Sequence, residues 1–352
     1  MSAKNLPTIR RKLLSWYEKT QRDLPWRRTR DPYAIWIAET MLQQTQVKTA
    51  LPYYERFLRR LPNIESLARA PLERVLQLWS GLGYYRRAEN LRTAARQILR
   101  DHHGKLPEDY RQLRALAGIG DYTAGALLSI AFGKNYPAID GNVRRVLSRF
   151  GLMNNEAALR ALAIKLVAGG RPGDFNQALM ELGATLCTSR APNCVACPLK
   201  RECLSLDRNN VLTYPYPMRA ESFTDVTWPL AIVRYGGKIL LHRRATTALL
   251  GRLWELPGIE TTRPDRAASA LRRQLHDLPV KFAKPRQIGE IRHSITHRRI
   301  RAPIYLFDCA ATIAAPAPRW RWVSWRRVEQ YPVSSMTKKA LAVLAAHETR
   351  FA

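Results

Sequence analysis

Over residues 1–204 apolar residues recur at spacings of three and four, and Gly, Pro or Asn punctuates the gaps. That period predicts helix after helix. "DPYAIWIAETMLQQTQVKTALPYYERFLRRL" opens with Asp31 placed to cap a helix and Pro32 in its first turn. "PLERVLQLW", "YYRRAENLRTAARQILRDH", "PEDYRQLRAL", "YTAGALLSIAFG", "NVRRVLSRFG" and "NEAALRALAIKLVAG" follow. After Cys203 the texture changes. "SLDRNNVLTYPYPMRAESFTD" is polar, with Pro215 and Pro217 two apart, and reads as an extended linker. Beyond Val226 strands take over: "PLAIVRYGGKILLHRR" is a hairpin turning at Gly236-Gly237. The expected architecture is multidomain. An all-α domain covers 1–204, a linker 205–225, and an α+β domain 226–352.

Charge narrows the partners. The chain carries 58 Lys and Arg against 28 Asp and Glu, a formal net charge of +30. A polyanion would relieve that self-repulsion, with nucleic acid the first choice and an anionic membrane or the ribosome the next. Hydrophobic residues at 46% suffice for real cores. No apolar stretch matches a signal peptide or a membrane helix, and the five cysteines make no disulfide scaffold. A cytoplasmic, reduced protein without membrane contact is expected.

Three stretches suggest chemistry. "CTSRAPNCVACPLKREC" sets Cys187, Cys194, Cys197 and Cys203 within one short loop, 187–203. Compact all-cysteine spacing suits an iron–sulfur cluster better than zinc, which favours separated pairs. "LAGIG" offers bare backbone at Gly118 and Gly120 before a helix, a grip for one DNA phosphate or an ordinary glycine turn. Downstream, Asp140 and Asn142 precede a helix with the apolar face Val143, Val146, Leu147 and Phe150. Asp140 reads as a plain cap or as a carboxylate held at a helix mouth. Glu39 shares a helix face with Ile35, Trp36 and Leu42, and reads either as a solvated residue of a long helix or as a buried carboxyl whose raised pKa suits a proton donor. The run Gln43, Gln44, Thr45, Gln46 is suited to reading base edges.

The glycine hairpin, the downstream Asp and the four-cysteine loop resemble the endonuclease III superfamily of helix-hairpin-helix DNA glycosylases. "LPWRR", "AETMLQQTQV", "GLGYYRRAENL", "DGNVRRVLSR" and "FNQALMELGATLC" resemble its MutY-type branch, the adenine DNA glycosylases. The part after Val226 resembles, more weakly, the Nudix-like (MutT-like) domain of the same proteins.

The resemblance implies one 4Fe-4S cluster on the four cysteines. It also implies a monomer acting on double-stranded DNA with adenine opposite 8-oxoguanine or guanine, in a bacterial cytoplasm at the nucleoid. Glu39 would protonate adenine N7, Asp140 would stabilise the sugar cation, and Tyr122 and Asn142 would orient them. Trp26, Arg27 and Gln177 match adenine-pocket positions. Leu42, Gln44 and Tyr84 match positions that enter the duplex or touch the lesion, and Thr45 is grouped with them. For Trp26, Leu42 and Tyr84 core packing is the plain alternative.

Bifunctional relatives carry Lys where Tyr122 stands, and Arg144 is too basic to replace it, so base removal without strand cleavage is expected. A nicking glycosylase or a non-enzymatic DNA-binding module would be the alternatives. In the second domain the helix "PDRAASALRRQL" carries Arg272 and Arg273 between Asp265 and Asp277, not a metal-binding acidic box, which suggests binding rather than hydrolysis. The family's lesion loop Phe-Ser-His is replaced by Ile295, Thr296 and His297. Thr296 keeps the hydroxyl; Ile295 loses the ring; His297 reads equally as a strand residue facing solvent.

Overall fold

The computed structural model describes residues 5–215, 222–245, 250–261, 264–276, 283–309 and 319–351. Asp277 and Pro217 fall outside the described residues. The chain divides into two units. One comprises Met1–Arg69 and Asn90–Ala220, the other Ala70–Glu89 and Glu221–Ala352.

The first unit is helical. Its helices are α1 (Leu6–Thr20), α2 (Pro32–Leu42), α3 (Val47–Arg60) and α4 (Ile64–Arg69). The chain then passes through α5 (Leu72–Trp79) of the second unit and returns along α6 (Arg86–Asp101). There follow α7 (Tyr110–Ala115), α8 (Asp121–Ala126), α9 (Gly141–Gly151), α10 (Glu156–Val167), α11 (Pro172–Thr185) and α12 (Leu204–Asp207).

Asp31 caps α2 as expected, accepting from the N–H groups of Tyr33 and Ala34. The helix is buried on every side from Tyr33 to Met41, the state of a helix that is apolar all round. That burial carries Glu39 inward with it. The predicted face of α9, Val143, Val146, Leu147 and Phe150, is buried with Leu13, Phe175 and Leu179 in one apolar cluster of this unit.

The second unit is a mixed seven-stranded sheet among the described residues, with helices beside it. Its strands are β1 (Thr224–Thr227), β2 (Leu230–Tyr235), β3 (Lys238–Arg243), β4 (Trp254–Glu255), β5 (Arg286–Ile295), β6 (Arg298–Asp308) and β7 (Trp320–Ser324). The helices α13 (Ala267–Leu275) and α14 (Ser335–Phe351) complete it.

The long β6 organises the sheet. It pairs in parallel with β1 and β2 and antiparallel with β5, while β3 pairs with β2, β4 and β7. The β2–β3 hairpin turns at Gly236 and Gly237, both at positive φ (48° and 74°), which is what a two-residue turn of this hand requires. The stretch 70–89 is stitched to this unit. Ser80 Oγ donates to the Val333 carbonyl (2.6 Å), Lys338 Nζ to the Ser80 carbonyl (2.8 Å), and Trp254 Nε1 to Glu73 (3.0 Å). No helix among the described residues is long and apolar enough to cross a membrane.

Candidate active site

Elements of the helical unit converge on Glu39. From α2 the Glu39 carboxylate accepts a hydrogen bond from the Tyr122 hydroxyl of α8, which also lies 3.8 Å from Met180 Sδ of α11. At the mouth of α9, Asp140 is the N-cap and accepts from the Val143 N–H (2.7 Å). Asn142 Nδ2 donates to the other Asp140 oxygen (3.0 Å). The amide of Asn142 is itself aimed: Arg145 Nη2 donates to its Oδ1 (2.9 Å) and to the Gly183 carbonyl (2.7 Å). This approach of α11 to α9 needs Gly183, because a Cβ there would meet Asn142 Cβ at 2.6 Å.

The electrostatics follow from burial. Glu39 is 5% exposed, and desolvation pushes its carboxyl up to about 7 against the lowering influence of the Tyr122 hydrogen bond. The charge of Asp140 raises it further and that of Arg27 lowers it. Burial and the neighbouring Glu39 raise Tyr122 as well, so the phenol remains a donor. Asp140 is also raised by burial, although the Val143 and Asn142 hydrogen bonds pull the other way. The group therefore contains a carboxyl that keeps a proton near neutrality, a neighbouring carboxylate on a fixed cap, and a phenol and an amide that aim them. That is the equipment for protonating a leaving group beside a developing cation.

Arg27 lies at the end of a short 3-10 turn, Pro25–Arg27, and donates to Glu181 Oε2 (2.6 Å). Arg22 binds the same carboxylate through both oxygens (2.7 Å each). Burial alone would raise Glu181, but these two guanidiniums overrule it and hold it at about 2. The Glu181 network and the Arg145 support of Asn142 were missed by the sequence reading. Arg145 could have been found, since it stands three residues after Asn142 on one helix face.

The remaining expected residues fall into groups. Trp26 is buried edge-on against Tyr54 (5.1 Å), and Gln177 is buried on α11. Leu42 ends α2. Gln44 beyond it is exposed at φ 54°, Thr45 is half-buried, and Gln43 donates to Thr123 of α8 (3.1 Å). Gly118 and Gly120 differ. Gly118 sits at φ 75°, where a Cβ would strike Asn90, whereas Gly120 is exposed, with open space where a Cβ would be. Tyr84, Thr296 and His297 belong to the second unit. Tyr84 is 48% exposed at φ 48°. Thr296 and His297 form the exposed turn between β5 and β6, not a strand interior.

The expected iron–sulfur loop and its 4Fe-4S cluster are corrected by the structure. Among the described residues no group of three or more His, Cys, Asp or Glu side chains is placed to hold a metal ion. Cys187, Cys197 and Cys203 instead pack as small apolar groups against the α9–α11 cluster. Arg149 Nη1 donates to Cys187 Sγ at 3.4 Å. Burial pushes Cys197 up to about 12 and raises Cys194 and Cys203. The residues do not fit the group, and no chemistry is assigned to it. Lys200 and Arg201 of this loop line a cleft of about 560 Å³ with Arg11, Lys12 and Lys19.

Known proteins match both the helical part and the sheet part of the chain. The HhH-GPD superfamily of base excision DNA repair proteins matches residues 37–168, and the NUDIX domain matches residues 230–343. An adenine DNA glycosylase of Rattus norvegicus is 34% identical, over 97% of this chain and 79% of its own. One of Homo sapiens is 34% identical, over 95% of this chain and 73% of its own. The solved structure of a thermostable thymine-DNA glycosylase superposes with a TM-score of 0.55 at 32% identity, covering 58% of this chain and 98% of that one.

Proposed function

Because the chain belongs to the adenine DNA glycosylase family of base excision repair enzymes, we propose that it removes adenine mispaired with 8-oxoguanine, and more slowly with guanine, from double-stranded DNA. The observation that carries this reading is the buried Glu39, held by the Tyr122 hydroxyl, in the same unit as the Asp140 carboxyl fixed at the cap of α9.

The adenine leaves the stack at a cost of a few kcal/mol, least at a mispair. Trp26, Arg27 and Gln177 line its pocket. Leu42, Gln44, Thr45 and Tyr84 meet the duplex, and the Gly118–Gly120 backbone holds one phosphate. Glu39 gives its proton to adenine N7, the C1′–N9 bond breaks, and its electron pair leaves with the neutral base. Asp140 faces the oxocarbenium-like sugar, as in the two-carboxylate glycosidases. Water then bonds to C1′ and returns a proton to Glu39, so the enzyme ends as it began. Asn142 keeps Asp140 aimed, and Tyr122 does the same for Glu39.

No strand cleavage accompanies the reaction. Tyr122 offers no amine for a Schiff base, and the Arg144 guanidinium is paired with Glu156. The protein acts as a monomer: a glycosylase domain over 1–204, a linker over 205–225, and a lesion-recognition domain over 226–352, with Thr296 and His297 at its exposed turn. The helix α13 carries no carboxylate between Ala267 and Leu275, in keeping with binding rather than pyrophosphate hydrolysis. The test is a duplex with adenine opposite 8-oxoguanine, incubated and then split with and without alkali. Breaks only after alkali are expected. Breaks without alkali would overturn the monofunctional reading, and none in either sample would overturn adenine removal.

A further inference from the structure

Tyr122 and Asp140 reach the site on one continuous stretch of chain that folds back on itself. Beyond Tyr122, α8 widens into a π turn over Leu127–Ala131, an irregularity of the kind that marks functional sites. The chain returns through Tyr136, Pro137 and Ala138 and delivers Asp140 to the mouth of α9. The outgoing and returning limbs meet through backbone. Gly125 lies so close to the returning limb that a Cβ there would collide with the Pro137 carbonyl. Gly173, in the first turn of α11, approaches the π turn in the same way, and a Cβ there would stand 2.7 Å from the Ser129 carbonyl oxygen. No side chain fits between these backbones, so their spacing depends on what bonds them together.

Asn176 of α11, 1% exposed, supplies those bonds. Its Nδ2 donates to Ser129 Oγ on the π turn and to the Tyr136 carbonyl on the returning limb, both at 2.8 Å. Its Oδ1 accepts from the Ala138 N–H (3.1 Å). Ser129 Oγ carries the link on to the Gly125 carbonyl (2.7 Å). The amide thus spends its bonds on the two limbs, and a buried amide with its partners in place holds a single arrangement. We propose that Asn176 is a positioning residue: by bonding the π turn to the segment before Asp140, it fixes the separation between the Glu39–Tyr122 pair and the Asp140 carboxyl. The proposal rests on the function given above and adds the residue that spaces its two acids. A misplacement of about 1 Å costs on the order of 10²-fold in rate, so Asn176→Ala is expected to slow adenine release by roughly 10- to 100-fold.

The experiment uses the full chain, saturating over an A:8-oxoguanine duplex in a single turnover, so that the rate constant belongs to folded, bound molecules alone. Duplex affinity is read in the Glu39→Gln background, and a pH–rate profile accompanies both. Asn176→Ala is expected to lose rate at parental affinity. The charge of Asp140 raises Glu39, while Tyr122 and Arg27 lower it. Letting the two acids draw apart should therefore move the alkaline limb of the profile to lower pH. Ser129→Ala, which removes one of the bonds, should show the same changes to a smaller extent, and it is the deciding variant if Asn176→Ala does not fold. A lowered thermal midpoint with a parental rate constant overturns the proposal, because Asn176 is then structural only. A slower rate with an unmoved limb also overturns it, because the acids have kept their spacing. Absence of release by the parent chain overturns the proposed function, whereas release by the parent with indifferent variants overturns the positioning role alone.

Discussion

Two glutamates of the helical unit are almost equally hidden, Glu39 on α2 at 5% exposure and Glu181 on α11 at 1%. Burial pushes both upward, yet they finish near opposite ends of the carboxyl range, at about 7 and about 2. The partners make the difference. Glu39 receives one neutral phenol and sits near another acid, while Glu181 receives three hydrogen bonds from two guanidiniums. A phenol aims a carboxyl without forcing it to ionise; a pair of cations forces it. Burial makes a residue special, and its partner decides whether it becomes a proton donor or a fixed anchor.

The largest way to break this contrast is Glu39→Gln. Adenine release should fall by roughly 10²–10⁴-fold, the range for a general acid, while duplex affinity and folding stay close to the parent. Single-turnover kinetics beside a binding titration would read it, and release at the parental rate would remove Glu39 from the chemistry. Glu181→Gln should behave in the reverse manner. It leaves Arg27 without its partner and should cost about 3 kcal/mol in denaturant unfolding, with the chemical step affected less than stability.

Acidity sharpens the pair further. Glu39 must be protonated to act, so the rate should fall as pH rises through about 7. The Tyr122 hydrogen bond lowers that value, so Tyr122→Phe should move the alkaline limb upward in a pH–rate profile. A downward shift would contradict the assigned bond. The smallest effect is on acid unfolding. The folded-state value of Glu181 is depressed, so its stabilisation is fully present above its ordinary value of 4.5 and is lost as pH falls toward about 2. The stability gap between the parent and Glu181→Gln should therefore close over that interval.

Features set by neighbours in sequence were legible. The Asp31 cap, the α9 face behind Asp140 and the Gly236-Gly237 turn each depend on a few adjacent residues, and each stands where its pattern put it. The burial of Glu39 was legible too, because Ile35 and Trp36 share its face. Long-range partners were not. Glu181 meets Arg22 and Arg27 across more than a hundred residues, and no local rule connects them. The cysteine spacing told how far the thiols could reach and not where they would point, and they turned to the core and to Arg149. The β5–β6 turn was hidden because Thr296 adopts a conformation usually left to glycine.

The course of the chain through residues 70–89 bears on how such a protein is inherited. The sheet unit is assembled from two stretches, and the first is embedded within the sequence of the helical unit. A gene truncated after Ala220 would still encode Glu73 and Ser80 but none of the groups they bind, Trp254, Val333 and Lys338. The sheet unit cannot be shuffled into another protein as one continuous segment, nor deleted cleanly from this one. Sequence changes in Ala70–Glu89 and in Glu221–Ala352 must remain mutually compatible, and the two halves of the gene are expected to travel together.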